Sequence, residues 1–280
     1  MPLFTFGILP HHTKWVKLFQ NLKYIVIDEV HQYRGVFGSH LANVLRRLKR
    51  ICRFYGSAPV FILCSATIGN PGELARALIE EPLVEITENG APRAEKHFIF
   101  YNPPVINKEL GLRRSSLLEA RKLTVELVSH GVQTIVFARS RLAVEIILTY
   151  LRQSFKNKPG EDSGIKGYRG GYLPRERRAI ETGLRKGAVK TVVSTNALEL
   201  GIDIGQLEAC VITGYPGSIA ATWQQAGRSG RRSGTSLAVM VASSDPLNQY
   251  ITDNPDYFFS SSPEKAASWA TPPCATAWPA

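Results

Sequence analysis

The sequence predicts an α/β fold of two parallel-sheet lobes in series, and three observations lead there. Residues 23–27 (Lys-Tyr-Ile-Val-Ile) and 60–64 (Val-Phe-Ile-Leu-Cys) are short, mostly apolar runs, the form of strands buried on both faces of a parallel sheet. Between them Leu41, Val44, Leu45, Leu48, Ile51 and Cys52 recur at three- and four-residue spacing, with Arg46, Arg47, Lys49, Arg50 and Arg53 on the other face, which makes an amphipathic helix. The same alternation of strand and helix begins again after residue 115, so one sheet is followed by a second.

The elements of the second half follow in order. From 85 to 115 periodicity fades and Pro92, Pro103, Pro104 and Gly111 punctuate the chain, which reads as a linker with one connecting strand at 97–101. A helix at 116–129 leads to a strand at 134–137, a helix at 142–155, a Gly-rich loop at 164–171 and a helix at 174–186. Strands at 191–194, 209–213 and 237–241 complete the series. The expected division is therefore 1–88 for the first lobe, 89–115 for the linker, 116–259 for the second lobe, and 260–280 for a tail. In that tail sixteen of twenty-one residues are Ala, Pro, Ser or Thr without hydrophobic period, so little order is expected.

A length of 280 residues fits two domains of ordinary size, and 44% hydrophobic with 20% charged residues excludes a disordered chain, a collagen and a small disulfide scaffold. Thirty-four Lys and Arg against twenty-three Asp and Glu leave a net charge of +11, which suits a polyanionic partner such as nucleic acid, or else simple solubility. Residues 113–190 carry seventeen basic against seven acidic side chains, so most of the excess sits in the second lobe. Cys52, Cys64, Cys210 and Cys274 form no Cys-x-x-Cys pair, which argues against a local zinc motif. Cys64 and Cys210 lie in apolar runs as small core residues, and no run approaches eighteen apolar residues, so a reduced, cytoplasmic protein is expected.

Three regions carry chemistry. Asp28-Glu29-Val30-His31 directly follows the first strand; Asp28 can hold Mg²⁺ while Glu29, aimed differently, polarises a water, although such a pair also suits an ordinary polar turn. Ser65-Ala66-Thr67 follows the next strand, where two hydroxyls either cap the turn at Gly69-Asn70-Pro71 or sense a γ-phosphate beside the acidic pair. The third region joins residues 194–205 (Ser-Thr-Asn-Ala-Leu-Glu-Leu-Gly-Ile-Asp-Ile-Gly) to residues 224–232 (Gln-Gln-Ala-Gly-Arg-Ser-Gly-Arg-Arg). Arginines spaced by small residues can enter a phosphate cleft and stabilise charge on a transferring phosphoryl group.

Taken together and in this order, these blocks resemble superfamily 2 DEAD/DEAH-box helicases over roughly residues 8–258, with residues 135–141 similar to a further motif of that family. Within the superfamily the sequence is most similar to the MrfA (YprA) type of ATP-dependent DNA helicase, through Gly7-Ile-Leu-Pro-His-His-Thr13, Tyr33-Arg-Gly-Val-Phe-Gly-Ser39 and Tyr168-Arg-Gly-Gly-Tyr-Leu-Pro174. The resemblance implies two RecA-like lobes, ATP and Mg²⁺ as cofactors, Asp28 on the metal, Glu29 on the water, and Arg228 and Arg231 as arginine fingers. It implies Gly201, Asp203 and Gln224 near the nucleotide, and His31, Ser65 and Thr67 coupling hydrolysis to lobe movement. It also implies Arg139, Ser140, Thr195 and Asn196 on the nucleic-acid backbone, where a motor must bind without reading sequence. Such contacts suit RNA as well as DNA, single-stranded or duplex, and the choice of DNA comes from the resemblance.

The departures from that family are equally definite. No Gly-x-x-x-x-Gly-Lys-Ser/Thr loop occurs in the sequence, so the residues that cradle phosphate in the family are missing, and the family's cysteine-bearing C-terminal region has no counterpart. The chain is therefore expected to be an internal fragment that needs the missing N- and C-terminal parts of a parent helicase and does not hydrolyse ATP alone. A nucleic-acid-binding module without ATPase activity is the alternative; a small-molecule phosphotransferase would need its own phosphate loop.

Overall fold

A computed structural model describes the chain except residues 1–2, 66–67, 89, 91–94, 156–163, 170, 199–206, 231–233 and 261–280. Two compact units divide at Asn89 and Gly90.

In the first unit a π-helical turn, Leu3–Ile8, and helix α1, Val16–Gln20, precede strand β1, Tyr24–Ile27. Helix α2, Gly35–Phe54, then leads to β2, Val60–Leu63, which pairs parallel with β1, and helix α3, Pro71–Ile79, follows. The predicted helix is therefore present and extends one and a half turns further toward its N-terminus. Its apolar stripe of Leu41, Leu45, Leu48, Ile51 and Cys52 is buried with Ile27, Val30, Leu74 and Leu78 in one core. The two strands, however, are not buried on both faces as expected. Val26 is 64% and Val60 58% exposed, because among the described residues helices cover only one side of the two-stranded sheet. Cys64 is exposed rather than a core residue, whereas Cys52 and Cys210 are buried.

The second unit is built on six parallel strands. These are β3, Lys96–Tyr101; β6, Thr134–Ala138; β7, Ile165–Tyr168; β8, Thr191–Ser194; β9, Ala209–Thr213; and β10, Ser236–Val241. A short antiparallel pair, β4, Val105–Asn107, and β5, Leu112–Arg113, lies between β3 and helix α4, Ser116–Ser129. Helices α5, Arg141–Ser154; α6, Pro174–Arg185; α7, Ile219–Ala226; α8, Pro246–Asp253; and α9, Pro255–Ser260 complete it. The strand order is β3-β10-β9-β6-β8-β7.

Alternate residues of the central strands enter opposite cores, as the two-residue period of a strand requires. Val136, Val193, Val211 and Val239 pack with Val144, Ile147, Leu148 and Leu151 of α5. Ile135, Val192, Cys210 and Met240 pack with Leu184, Ile219, Ile251 and Phe258 on the other face. Here the expectation of strands buried on both faces holds.

Two segments differ from the sequence reading. The strand expected inside the linker belongs to the second sheet, paired residue for residue with β10 from Lys96↔Ser236 to Tyr101↔Val241. Residues 164–171, expected as a loop, contain β7, which pairs with β8 from Ile165↔Thr191 to Tyr168↔Ser194. Gly167 belongs there for steric reasons, since a Cβ at that position would stand 2.6 Å from Leu148 Cδ1.

Candidate active site and nucleic-acid surface

Asp28 and Glu29 leave the carboxyl end of β1 where the sequence placed them. The backbone there is fixed to the neighbouring strand, because Cys64 N donates to Ile27 O (3.0 Å) and Val30 N to Cys64 O (2.9 Å). This pairing brings the end of β2, and with it the exposed Ser65, alongside the acidic turn. Glu29 sits in the left-handed region with φ 54°, unusual for a residue with a Cβ, and its amide donates to Asp28 Oδ1 at 2.8 Å. Strained backbone of this kind is a feature of functional turns.

His31 is almost fully buried and its Nδ1 lies 3.4 Å from Glu29 Oε2. Burial holds its pKa below the ordinary 6.5, against the opposing pull of Glu29, so the ring is neutral at pH 7. Gln32 Nε2 stands 3.0 Å from His31 Nε2 and can only donate, which assigns the proton to Nδ1 and lets the imidazole donate to Glu29. The exposed Asp28 and Ser65 offer oxygen donors only, the ligand type of Mg²⁺, which keeps most of its shell as water and phosphate oxygen and takes one or two carboxylates from protein.

In the second unit Thr195 and Asn196 follow β8, Arg139 follows β6, and Gly214 follows β9. These strand ends line a cavity of about 340 Å³ together with Thr213 and Gln225. It lies where the strand order turns back on itself, between β6 and β9, the usual place for a ligand in an open parallel sheet. Arg139 Nη1 is held by Asp245 Oδ2 at 2.6 Å, and Ser140 Oγ accepts from Ala143 N at 3.1 Å as the cap of α5. The two residues expected on nucleic acid thus also carry structural contacts, neither of which the sequence reading foresaw.

Gln224 is half-buried on α7, and Arg228 stands just beyond its end, 7% exposed. That turn is tightly built. Lys96 of β3 donates through Nζ to Ala226 O and, at 2.9 Å, to Ser229 O; Gly230 N donates to Leu207 O at 2.9 Å. Lys96 adds a charged donor to carbonyls at and just beyond the end of α7, and burial lowers its pKa. Sequence reasoning missed Lys96 because nothing local ties it to a turn 130 residues away. Thr67, Gly201, Asp203 and Arg231 lie outside the described residues.

The DEAD/DEAH box helicase family matches residues 2–75 and the helicase conserved C-terminal domain matches residues 118–233, so the chain carries both domains. Among particular relatives, the chain is 64% identical over 260 residues to the uncharacterized ATP-dependent helicase YprA of Bacillus subtilis, covering 93% of this chain and 35% of that protein. It is 40% identical over 255 residues to the ATP-dependent helicase HRQ1 of Saccharomyces cerevisiae, covering 89% of this chain and 24% of that protein. The crystal structure of the helicase MrfA bound to DNA superposes with a TM-score of 0.90 at 63% identity, over 94% of this chain and 35% of that one. MrfA bound to DNA and AMPPNP gives a TM-score of 0.89. The fold is therefore RecA-like, and the chain spans about a third or less of the length of the curated relatives it matches.

Proposed function

We propose that the chain forms the core of an ATP-dependent helicase or translocase acting on DNA in the cytoplasm. The observation that carries the reading is the pair Asp28 and Glu29 at the end of β1, locked by backbone to the end of β2 and buttressed by a neutral, buried His31. In this reading Asp28 would hold Mg²⁺, which would supply positive charge against the phosphates of the nucleotide. Glu29 orients the attacking water, and His31 fixes the rotamer of Glu29 and couples it, with Ser65 and Thr67, to movement. Arg228 and Arg231 act as arginine fingers, and Gly201, Asp203 and Gln224 contact the nucleotide. Arg139, Ser140, Thr195 and Asn196 bind the DNA backbone, with Arg139 exchanging Asp245 for phosphate. Relatives named as ATP-dependent helicases and a similar structure with DNA and AMPPNP support this assignment.

A second reading, nucleic-acid binding without turnover, draws on the lack of any Gly-x-x-x-x-Gly-Lys-Ser/Thr sequence. We infer that the isolated chain binds DNA but needs the missing parts of a parent helicase to hydrolyse ATP. The test measures DNA-stimulated ATP hydrolysis and salt-dependent DNA binding for the chain and for Glu29→Gln. Binding without turnover is expected from the isolated chain; turnover that Glu29→Gln abolishes would show it to be self-sufficient. No DNA binding at low salt would sink both readings.

A further inference from the structure

The sequence strings around His12 and around Tyr33 play no part in the ATPase reading, yet the fold brings them to opposite ends of one helix. Helix α2 contains five Lys or Arg and no acid. Glu80 and Glu81 neutralise Arg46 and Lys49, while no ion pair among the described residues engages Arg47, Arg50 or Arg53. At 3.6 residues per turn, positions 36, 40, 43, 47, 50 and 54 fall within roughly 80° of one another, and all six are exposed. The resulting stripe is about 27 Å long at a rise of 1.5 Å per residue.

Aromatic groups stand at both ends. At the N-terminal end Phe37, 51% exposed, packs on Tyr33 with ring centroids 5.4 Å apart. At the C-terminal end Phe54, 76% exposed, meets Tyr55 at 5.0 Å and His12 at 6.4 Å. Beside the N-terminal half lies an apolar cavity of about 400 Å³ lined by Leu9, Leu41, Val44, Phe37, His40 and Arg47. A solvated helix face has no use for two exposed phenylalanines. Cations in a row, an aromatic face at the C-terminal end and an apolar cavity beside the N-terminal half match the requirements of single-stranded nucleic acid: phosphates along the arginines, a base against the ring. An acidic protein would use the cations and leave the rings idle.

We propose that this exposed stripe of α2, with Arg47 and Arg50 as phosphate ligands and Phe54 as a stacking surface, is a second single-stranded DNA contact, in addition to the strand-end residues of the other unit. The proposal rests on DNA being the partner. Its test uses the full chain and a fluorescein-labelled deoxythymidine 20-mer, with anisotropy read over a series of salt concentrations. Arg47→Gln/Arg50→Gln is compared with Lys14→Gln/Lys17→Gln, a charge-matched change at exposed positions of the same unit. Loss of two phosphate contacts lowers the slope of log K against log salt by about 1.4, at roughly 0.7 per contact for a single strand. The lysine control is expected to change it by less than half as much, and Phe54→Ala to weaken binding about fivefold or more with the slope intact. Equal slopes for the two double variants, or full-strength competition by poly-glutamate, would overturn the proposal while leaving DNA as the partner. A wild-type chain that does not bind the oligonucleotide would overturn the proposal and the DNA assignment together.

Discussion

Replacing Gly230 with Ala tests whether the arginine turn is held as tightly as its contacts indicate. Gly230 has φ +78°, and a Cβ there would stand 2.3 Å from Ser236 Oγ and 2.6 Å from Ser236 Cβ. Rotating the serine clears its hydroxyl but not its Cβ, which is fixed to strand β10, where Ser236 N donates to Glu95 O at 2.9 Å. Left-handed backbone costs a residue with a Cβ about 1–2 kcal/mol, and overpacking a well-filled site about 1–3 kcal/mol. Gly230→Ala is therefore expected to destabilise the protein by about 2–5 kcal/mol in urea unfolding followed by circular dichroism. Adding Ser236→Gly removes the obstructing Cβ, so the double variant should recover about 1–3 kcal/mol relative to the sum of the single changes, leaving the backbone cost. A single variant within about 0.5 kcal/mol of wild type, or two changes that simply add, would refute the steric account of the turn.

Lys96→Met leaves the carbonyls of Ala226 and Ser229 without their ammonium donor and should cost about 1–3 kcal/mol in the same unfolding measurement, with Lys96→Arg intermediate. Asp245→Asn breaks the exposed pair with Arg139, so stability should move by less than about 1 kcal/mol while single-stranded DNA binds more tightly to the released guanidinium. His31 has its pKa lowered in the fold by burial, opposed by Glu29 and Asp28 and helped by Arg34. The unfolded chain therefore takes up the proton first, and the stability this residue confers is complete above pH 6.5 and declines below it. Urea midpoints measured between pH 5 and 8 should fall less steeply on the acid side in His31→Gln; an unchanged slope would contradict this.

What could be read from the sequence was what local chemistry decides. Ser116–Ser129 has a helical period, and the Thr191–Ser194 and Ala209–Thr213 runs are short and β-branched or apolar at their centres, so all three appear where expected. Asp28 and Glu29 were legible because a polar pair at a strand's carboxyl end is a local signal. Gly167 misled because glycine marks either a loop or a close approach, and only the packing of α5 on β7 decides between them. The strands of the first unit read as buried because apolar composition does not report how many layers cover a sheet. Lys96 and Asp245 carried no signal, since their partners lie 130 and 106 residues away and their meeting depends on the order of strands in the sheet.

That difference in cover bears on how the two units hold their functional residues. In the second unit β6, β8 and β9 are buried from end to end, so Thr195 and Gly214 inherit their positions from a packed sheet. In the first unit β1 and β2 are half exposed and cannot supply that rigidity by packing. The acidic turn is fixed instead by hydrogen bonds: Val30 N to Cys64 O, Gln32 N to Glu29 O at 2.8 Å, and Glu29 N to Asp28 Oδ1. Val30 and His31, both nearly inaccessible, anchor the far side of the same turn in the core beneath α2 and α3. The left-handed conformation of Glu29 follows from this arrangement. One residue must reverse the chain between a strand whose end is pinned and a buried Val-His pair, and it does so with its carboxylate held on the buried imidazole. Strain at one residue, of order 1–3 kcal/mol, is thereby offset by several contacts that together fix the direction of two carboxylates.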